Sequence, residues 1–307
     1  EELPFWCEDD HFAGFQAFRR SANHAVTKSY RNGSIGVCFE DLKPAFEAAL
    51  AEDIRDGESA RRFFQTRFVP ALVRPDAGTN GHVTGFYEPS VRASRQRTDE
   101  FSVPLYRRPD DLVEINDVLR PIEMDPYLRF GRQTETGLQE YPDRRAIERG
   151  FLAGRGLELV YVADKIEAFF IHLQGAARLV FGDGSQARVT YCAKSGQRFT
   201  GPGRVLIDMG EIDPQTVSMQ SIREWLANHR ERIDEILWHN RSFFFFEESS
   251  FGDPDLGPVA AAKVQLTAGR SIAVDRLVHV FGSPFFIDAP MVNFGSPEPF
   301  RRLMIAQ

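Results

Sequence analysis

Leu157-Glu-Leu-Val-Tyr-Val162, Ala168-Phe-Phe-Ile-His-Leu173, Arg178-Leu-Val-Phe181 and Arg188-Val-Thr-Tyr-Cys192 make up the most regular run of the chain, and all four have the texture of β-strands. Each is a short block of β-branched and aromatic residues closed off by turn-forming ones. Asp164-Lys165 reads as the turn of a first hairpin and Gly182-Asp183-Gly184-Ser185 as that of a second. The second signal is the stronger, because Gly tolerates positive φ and Asp and Ser bond their own backbone. Short strands at such close intervals predict a sandwich or small barrel.

Upstream, residues 93–145 are polar and hold Pro104, Pro109, Pro121, Pro126 and Pro142, a pattern of loops and short edge strands. Strand texture begins at His82, and the part before it reads as helical. Phe46, Ala49, Leu50 and Ile54 recur at helical spacing, and a second helix is predicted over Ser59–Phe68, ended by Pro70. Downstream, helices return over 218–239, with Ser218 as cap and Ile222, Trp225, Leu226, Ile233, Ile236 and Leu237 as the apolar side. Strands follow at Ser242–Phe246, Arg270–Arg276, Phe285–Asp288 and Phe300–Gln307. No internal repeat is visible.

The bulk numbers narrow the function. A chain of 307 residues with 42% hydrophobic and 26% charged residues can bury a proper core in one large or two ordinary domains. The formal charge of −7 excludes a nucleic-acid binder, and the basic doublets are scattered among acids. No apolar run is long enough to cross a bilayer. The start at Glu1 fits a cytosolic protein or a mature exported one. Cys7, Cys38 and Cys192 form no metal-ligand pattern, and no metal or cofactor is expected. Cys7 and Cys38 would pair in an oxidising compartment or serve as buried small hydrophobes, and both readings stay open.

Familiar catalytic signatures are absent: there is no G-x-S-x-G elbow, H-E-x-x-H or P-loop. Gly201-Pro-Gly203 reads as a tight turn, and the seven histidines read as structural. Short polar motifs in strands remain. Thr84-Gly-Phe-Tyr87-Glu88-Pro89 sets a hydroxyl, an aromatic and a carboxylate at a strand end. His172-Leu-Gln174-Gly-Ala-Ala puts an amide inside an apolar hairpin, before small residues that permit close approach. Lys194-Ser195-Gly196 is a polar turn, and Ser271-Ile-Ala-Val-Asp275-Arg276 carries an acid and a base in a buried-looking strand. Singly, each has a plain alternative. Glu88 can be an exposed strand-end charge, Gln174 a core amide bonded to backbone, and Asp275 a structural acceptor.

The order of these motifs resembles the MltA family of lytic murein transglycosylases. The matching stretches are Thr84–Pro89, Arg144-Arg-Ala-Ile147 with Gly150, Leu173–Ala177, and Tyr191–Gly196 through Gly203–Ile207. Met219-Gln-Ser-Ile-Arg223, Asn240–Phe246 and Ser271–Arg276 complete the series, so the resemblance spans about 82–307. It implies a mainly β, α+β protein: a double-psi β-barrel with a large inserted second β domain and short N-terminal helices. The expected domains are 1–99 (helices and first part of the barrel), 100–240 (insert) and 241–307 (second part of the barrel), with a glycan groove between barrel and insert.

The reaction so implied is non-hydrolytic cleavage of the β-1,4 bond between N-acetylmuramic acid and N-acetylglucosamine, ending in a 1,6-anhydro ring. Ordinary glycosidases use two carboxylates. Here one Asp protonates the glycosidic oxygen and then takes the proton of the sugar's own C6 hydroxyl. By the family's pattern that Asp follows directly after Gln307, so no catalytic residue is expected within the chain. The substrate-binding residues so implied are Thr84, Tyr87, Glu88, Gln174, Lys194, Ser195, Asp275 and Arg276. Two departures alter the groove lining: Ser195 stands where the family has Asn, and Ala176-Ala177 where it has Ser-Gly. The partner implied is the peptidoglycan glycan strand. The implied place is the periplasm, compatible with an outer-membrane lipid anchor upstream of Glu1. Three rival readings are a non-catalytic peptidoglycan-binding envelope protein, a two-carboxylate hydrolase using Glu88 and Asp275, and a structural β protein of the envelope.

Overall fold

The computed structural model describes residues 3–74, 84–116, 118, 120–249, 252–292 and 299–307. Helices α1 (His11–Ala25), α2 (Phe39–Ala51) and α3 (Gly57–Arg67) come first. Strands β1 (Ser90–Ser94), β2 (Val103–Tyr106), β3 (Leu112–Glu114), β4 (Phe130–Thr134) and β5 (Gly137–Gln139) follow. A single turn α4 (Arg144–Ala146) leads to β6 (Glu158–Val162), α5 (Lys165–Gln174), β7 (Ala176–Val180) and β8 (Gln186–Lys194). Helices α6 (Pro202–Asp208), α7 (Met219–Asn228) and α8 (Ile233–Leu237) precede β9 (Phe244–Ser249). The last elements are β10 (Ser271–Ile272), β11 (Pro284–Ala289) and β12 (Phe300–Ala306).

These elements group into two units, one made of Glu1–Phe86 with Gly252–Gln307 and the other of Tyr87–Phe251. Against the expected limits at 99/100 and 240/241, the boundaries lie at 86/87 and 251/252, because β1 pairs with β7 and β9 pairs with β8.

In the first unit the three helices bury a phenylalanine cluster. Along α1, capped by Asp10, the residues Phe15, Phe18, Ala22 and Ala25 fall on one stripe. Phe15 meets Phe63 of α3 edge-on at 5.0 Å, and Phe18 meets Phe46 of α2 at 5.2 Å. Burying each such ring contributes about 1.5–3 kcal/mol. Gly14 lets α1 rest on the sheet, since a Cβ there would come within 2.9 Å of the Leu303 side chain. That sheet has the order β10-β12-β11. Its central strand is tied down by Gln307, whose amide donates to the Ala17 carbonyl and the Ser21 hydroxyl, both at 2.8 Å.

The inserted unit carries a six-stranded sheet, β2-β6-β1-β7-β8-β9, in which only β1 and β7 run parallel. A small sheet β3-β4-β5 accompanies it. The hairpin at 182–185 forms as expected, with Gly184 at φ +82° and the Ser185 N–H bonded to the Asp183 carboxylate at 2.9 Å. The other expected hairpin does not form. Ala168–Leu173 is part of helix α5, and Asp164 is its cap, accepting from the Ile166 N–H at 2.6 Å. Ala168 and Ile171 pack on the sheet while Ile166, Phe169 and Phe170 pack against α6, α7 and α8. A helix buried on two sides is apolar nearly throughout, and its periodicity is lost.

Other expectations are corrected too. Gly201-Pro202-Gly203 opens α6 with Pro202 in its first turn, a position that needs no N–H. Residues 84–89 form no strand; Pro89 precedes β1, and its carbonyl accepts from the Arg178 N–H at 2.8 Å. Asp275 and Arg276 lie outside β10 and are exposed. All three cysteines are free thiols, with Cys7 exposed and the others half-buried. Among the described residues no helix is long and apolar enough to cross a membrane, and no cluster of His, Cys, Asp or Glu is placed to hold a metal.

Candidate carbohydrate-binding site

The site of interest grows from the C-terminal end of α5. Gly175 adopts φ +74°, the left-handed conformation that ends a helix, so Gln174 sits where α5 turns into β7. The Gly175 carbonyl accepts from the Tyr191 N–H at 2.7 Å, which brings Gln174 beside β8. The register of β8 and β9 places Lys194 opposite Phe244, with an irregularity between Tyr191 and Ala193. There the Tyr191 ring meets Phe244 at 5.0 Å. Tyr191, Leu173 and Phe199 are 40%, 38% and 52% exposed, so a patch of apolar and aromatic surface lies open here. The Lys194 ammonium makes no hydrogen bond or ion pair among the described residues.

A cavity of about 250 Å³ adjoins this patch, lined by Arg144, His172, Leu173, Phe199, Asn240, Ser242 and Phe244. Arg144, at the start of α4, is buried. Its guanidinium donates to the Asn240 carbonyl at 3.2 Å, the Ser242 carbonyl at 2.9 Å and the Glu148 carboxylate at 3.0 Å. It also lies 4.9 Å from the Phe169 ring and 5.2 Å from that of Phe243. Burial pushes its pKa down, and Glu148 opposes that shift.

His172 lies against it. Its Nδ1 accepts from the Phe244 N–H at 3.2 Å and is 3.3 Å from Arg144 Nη2. Two donors aimed at Nδ1 put the ring proton on Nε2. Burial, and then the Arg144 charge, hold the His172 pKa well below the usual histidine range. The imidazole is therefore a neutral hydrogen-bond donor. Asn240 fixes the remaining wall by accepting from the Ser242 N–H at 3.1 Å and the Thr200 N–H at 3.4 Å.

Open aromatic faces beside amide, ammonium and imidazole donors are what a pyranose ring requires: apolar C–H faces on rings, hydroxyls and acetamido oxygens on donors. The carboxylate within the cluster, Glu148, is bonded to Arg144 and to Trp238 Nε1 at 2.9 Å. The arrangement can hold a sugar chain; Glu148 is already committed and is no general acid.

The residues expected to bind substrate divide. Gln174, at the end of α5, and Lys194, paired with the cavity residue Phe244, both border this region. Ser195 is fully buried, and its hydroxyl accepts from the Phe243 N–H at 3.1 Å, so it carries the β8–β9 ladder onward and does not line a surface. Gly196 beside it has φ +86°, and a Cβ would lie 2.5 Å from the Phe130 carbonyl oxygen. Tyr87 accepts from Arg223 Nη2 at 3.0 Å. Glu88 is neither exposed nor available: Arg188 donates Nε at 2.6 Å and Nη2 at 3.1 Å to its two oxygens. Thr84, Asp275 and Arg276 belong to the first unit, where Asp275 accepts from the Leu277 N–H at 2.8 Å. Arg144, His172 and Phe199 were not among the expected site residues. Arg144 and His172 stand within the motifs, but their partners lie far along the chain.

Comparison with known proteins gives the following. The model of the MltA specific insert domain matches residues 82–247, and that of the 3D domain matches residues 270–307. The chain is 31% identical over 250 residues to membrane-bound lytic murein transglycosylase A of Escherichia coli K12, covering 80% of this chain. It spans only 60% of that protein's length. Among solved structures, a membrane-bound lytic murein transglycosylase from Agrobacterium tumefaciens is 46% identical with a TM-score of 0.90, covering 99% of this chain and 84% of that one. Escherichia coli MltA with bound chitohexaose is 26% identical with a TM-score of 0.68, covering 95% of this chain and 78% of that one.

Proposed function

This chain belongs to the MltA family, and from that premise we propose that it binds peptidoglycan glycan strands and serves their lytic cleavage. The reaction is the one implied by the family: the β-1,4 bond from N-acetylmuramic acid to N-acetylglucosamine breaks, and the C6 hydroxyl closes a 1,6-anhydro ring. The observation that carries the binding part is the cavity in which the open Phe199 and Leu173 side chains meet the buried Arg144–His172 pair, with Gln174 following Leu173 at the end of α5 and both Lys194 and the Tyr191 ring against Phe244 of its wall. The chitohexaose bound to Escherichia coli MltA supports a glycan chain as ligand.

The proton donor is assigned, by the family's pattern, to an Asp directly after Gln307. The committed state of Glu88 argues against a two-carboxylate hydrolase built on Glu88 and Asp275. We assign the first unit to the double-psi β-barrel, and Thr84, Asp275 and Arg276 to substrate contacts from it. The relatives' printed name, membrane-bound, supports a place in the cell envelope, with the periplasm as compartment.

Titration of residues 1–307 with chitohexaose, by calorimetry, tests this reading. Saturable binding is expected, with Lys194→Met weakening it roughly tenfold through loss of one charged donor. Absence of saturable binding, or an unchanged affinity for the variant, contradicts it.

A further inference from the structure

A second cavity of about 260 Å³ lies in the inserted unit, lined by Tyr87, Pro89, Ser90, Val91, Glu167 and Arg223. Its charged groups come from two packed helices, Glu167 from α5 and Arg223 from α7. The Arg223 guanidinium lies 3.8 Å over the Phe170 ring and donates to the Tyr87 hydroxyl. A guanidinium has five N–H donors, and these contacts engage one of them. The half-buried Glu167 carboxylate makes no hydrogen bond or ion pair among the described residues. Burial and the Asp164 carboxylate push its pKa up, against the pull of Arg223 and Arg92. Arg92 pairs with Glu100 at 2.7 Å and Arg230 with Asp164, the cap of α5, so neither cation is free to neutralise Glu167.

A small cavity holding an acid and a base that are not bonded to each other asks for a ligand with both complements. In a peptide-bearing strand the lactyl carboxyl of N-acetylmuramic acid is amide-linked, so the sugar itself is neutral there and has no such pair. A short peptide unit has it, with a carboxylate for Arg223 and an amide N–H or ammonium for Glu167. We infer that this cavity takes the acidic peptide attached to the glycan strand, so that the inserted unit reads the peptide as well as the sugar. The inference rests on the glycan-strand reading above. The volume is near the lower end of the roughly 300–1,000 Å³ of small-ligand pockets and suits one or two amino-acid residues.

The test compares affinities of residues 1–307 for murein glycan chains with their peptides intact, for chitohexaose, which carries neither peptide nor carboxylate, and for the dipeptide L-Ala-D-Glu alone. The expected result is roughly tenfold tighter binding of peptide-bearing chains, abolished by Glu167→Gln and by Arg223→Gln with no change toward chitohexaose. Arg223 also packs on Phe170, so Glu167→Gln, a half-exposed isostere, is the decisive variant, and its thermal midpoint confirms folding. Equal affinity for both chain types, or a preference that survives in Glu167→Gln, overturns the inference while leaving the glycan reading intact. If chitohexaose does not bind at all, the glycan reading fails. Dipeptide binding that Glu167→Gln weakens then still supports the cavity's role, and its absence overturns it.

Discussion

Replacing Glu88 separates a structural carboxylate from a catalytic one. The Glu88 side chain is 10% exposed and that of Arg188 is 1% exposed, with two hydrogen bonds between them and Arg178 at 3.8 Å. Glu88→Gln keeps the shape but removes the charge that compensates the buried guanidinium. Breaking one side of a buried pair costs about 3–5 kcal/mol. For a domain of the inserted unit's size each kcal/mol moves the midpoint by about 2–4 °C, so the fall should be about 6–20 °C. Replacing both partners, Glu88→Met with Arg188→Met, should recover most of it, because the buried guanidinium goes with its carboxylate and only the more exposed Arg178 loses an ion-pair partner. Circular dichroism melting gives the midpoints, and chitohexaose titration at a temperature where all variants are folded gives the affinity. The reasoning fails if Glu88→Gln shifts the midpoint by less than about 2 °C yet abolishes sugar binding, since Glu88 would then face substrate.

Further expectations concern the same unit. His172 has a folded-state pKa depressed below its usual value of 6.5, so the unfolded chain binds protons more readily. Stability is therefore undiminished above about pH 6.5 and falls as pH drops below it, by at most about 1.4 kcal/mol per pH unit until the folded-state value is reached. His11, also depressed by burial, acts with the same sign; His172→Gln should remove only its own share of the slope between pH 7.5 and 5.5, and an unchanged slope would speak against a neutral buried His172. Gly196→Ala should destabilise by about 1–3 kcal/mol from the positive φ alone, and by more from the contact with Phe130, read as a lower urea midpoint. A midpoint equal to the parent's would mean that the turn has relaxed.

How much of this was legible follows from the range of the interactions involved. The 182–185 turn was readable because its chemistry is local: the Asp183 carboxylate bonds Ser185 two residues on. Helices α2 and α3 were readable because each buries one face only. Helix α5 was not, because the sheet and three helices together remove its polar side. The Ser271–Arg276 stretch alternates like a strand, yet only Ser271 and Ile272 find a partner in β12. At the site, Gln174 and Lys194 were reachable through their motifs. Glu88 was misjudged because Arg188, which determines its state, is 100 residues away. Arg144 draws its acceptors from residues 240 and 242 for the same reason.

The chain ends left on murein sacculi after digestion with the protein, as its gene encodes it, decide whether it is a lytic transglycosylase. Mass spectrometry of the released muropeptides should find 1,6-anhydro-N-acetylmuramic ends, as required when the C6 hydroxyl takes the place of water. Reducing ends in their place would mean that water attacks and that the protein is a hydrolase. Failure to release any fragment, with sugar binding retained, would leave it a binding protein and refute the lytic assignment.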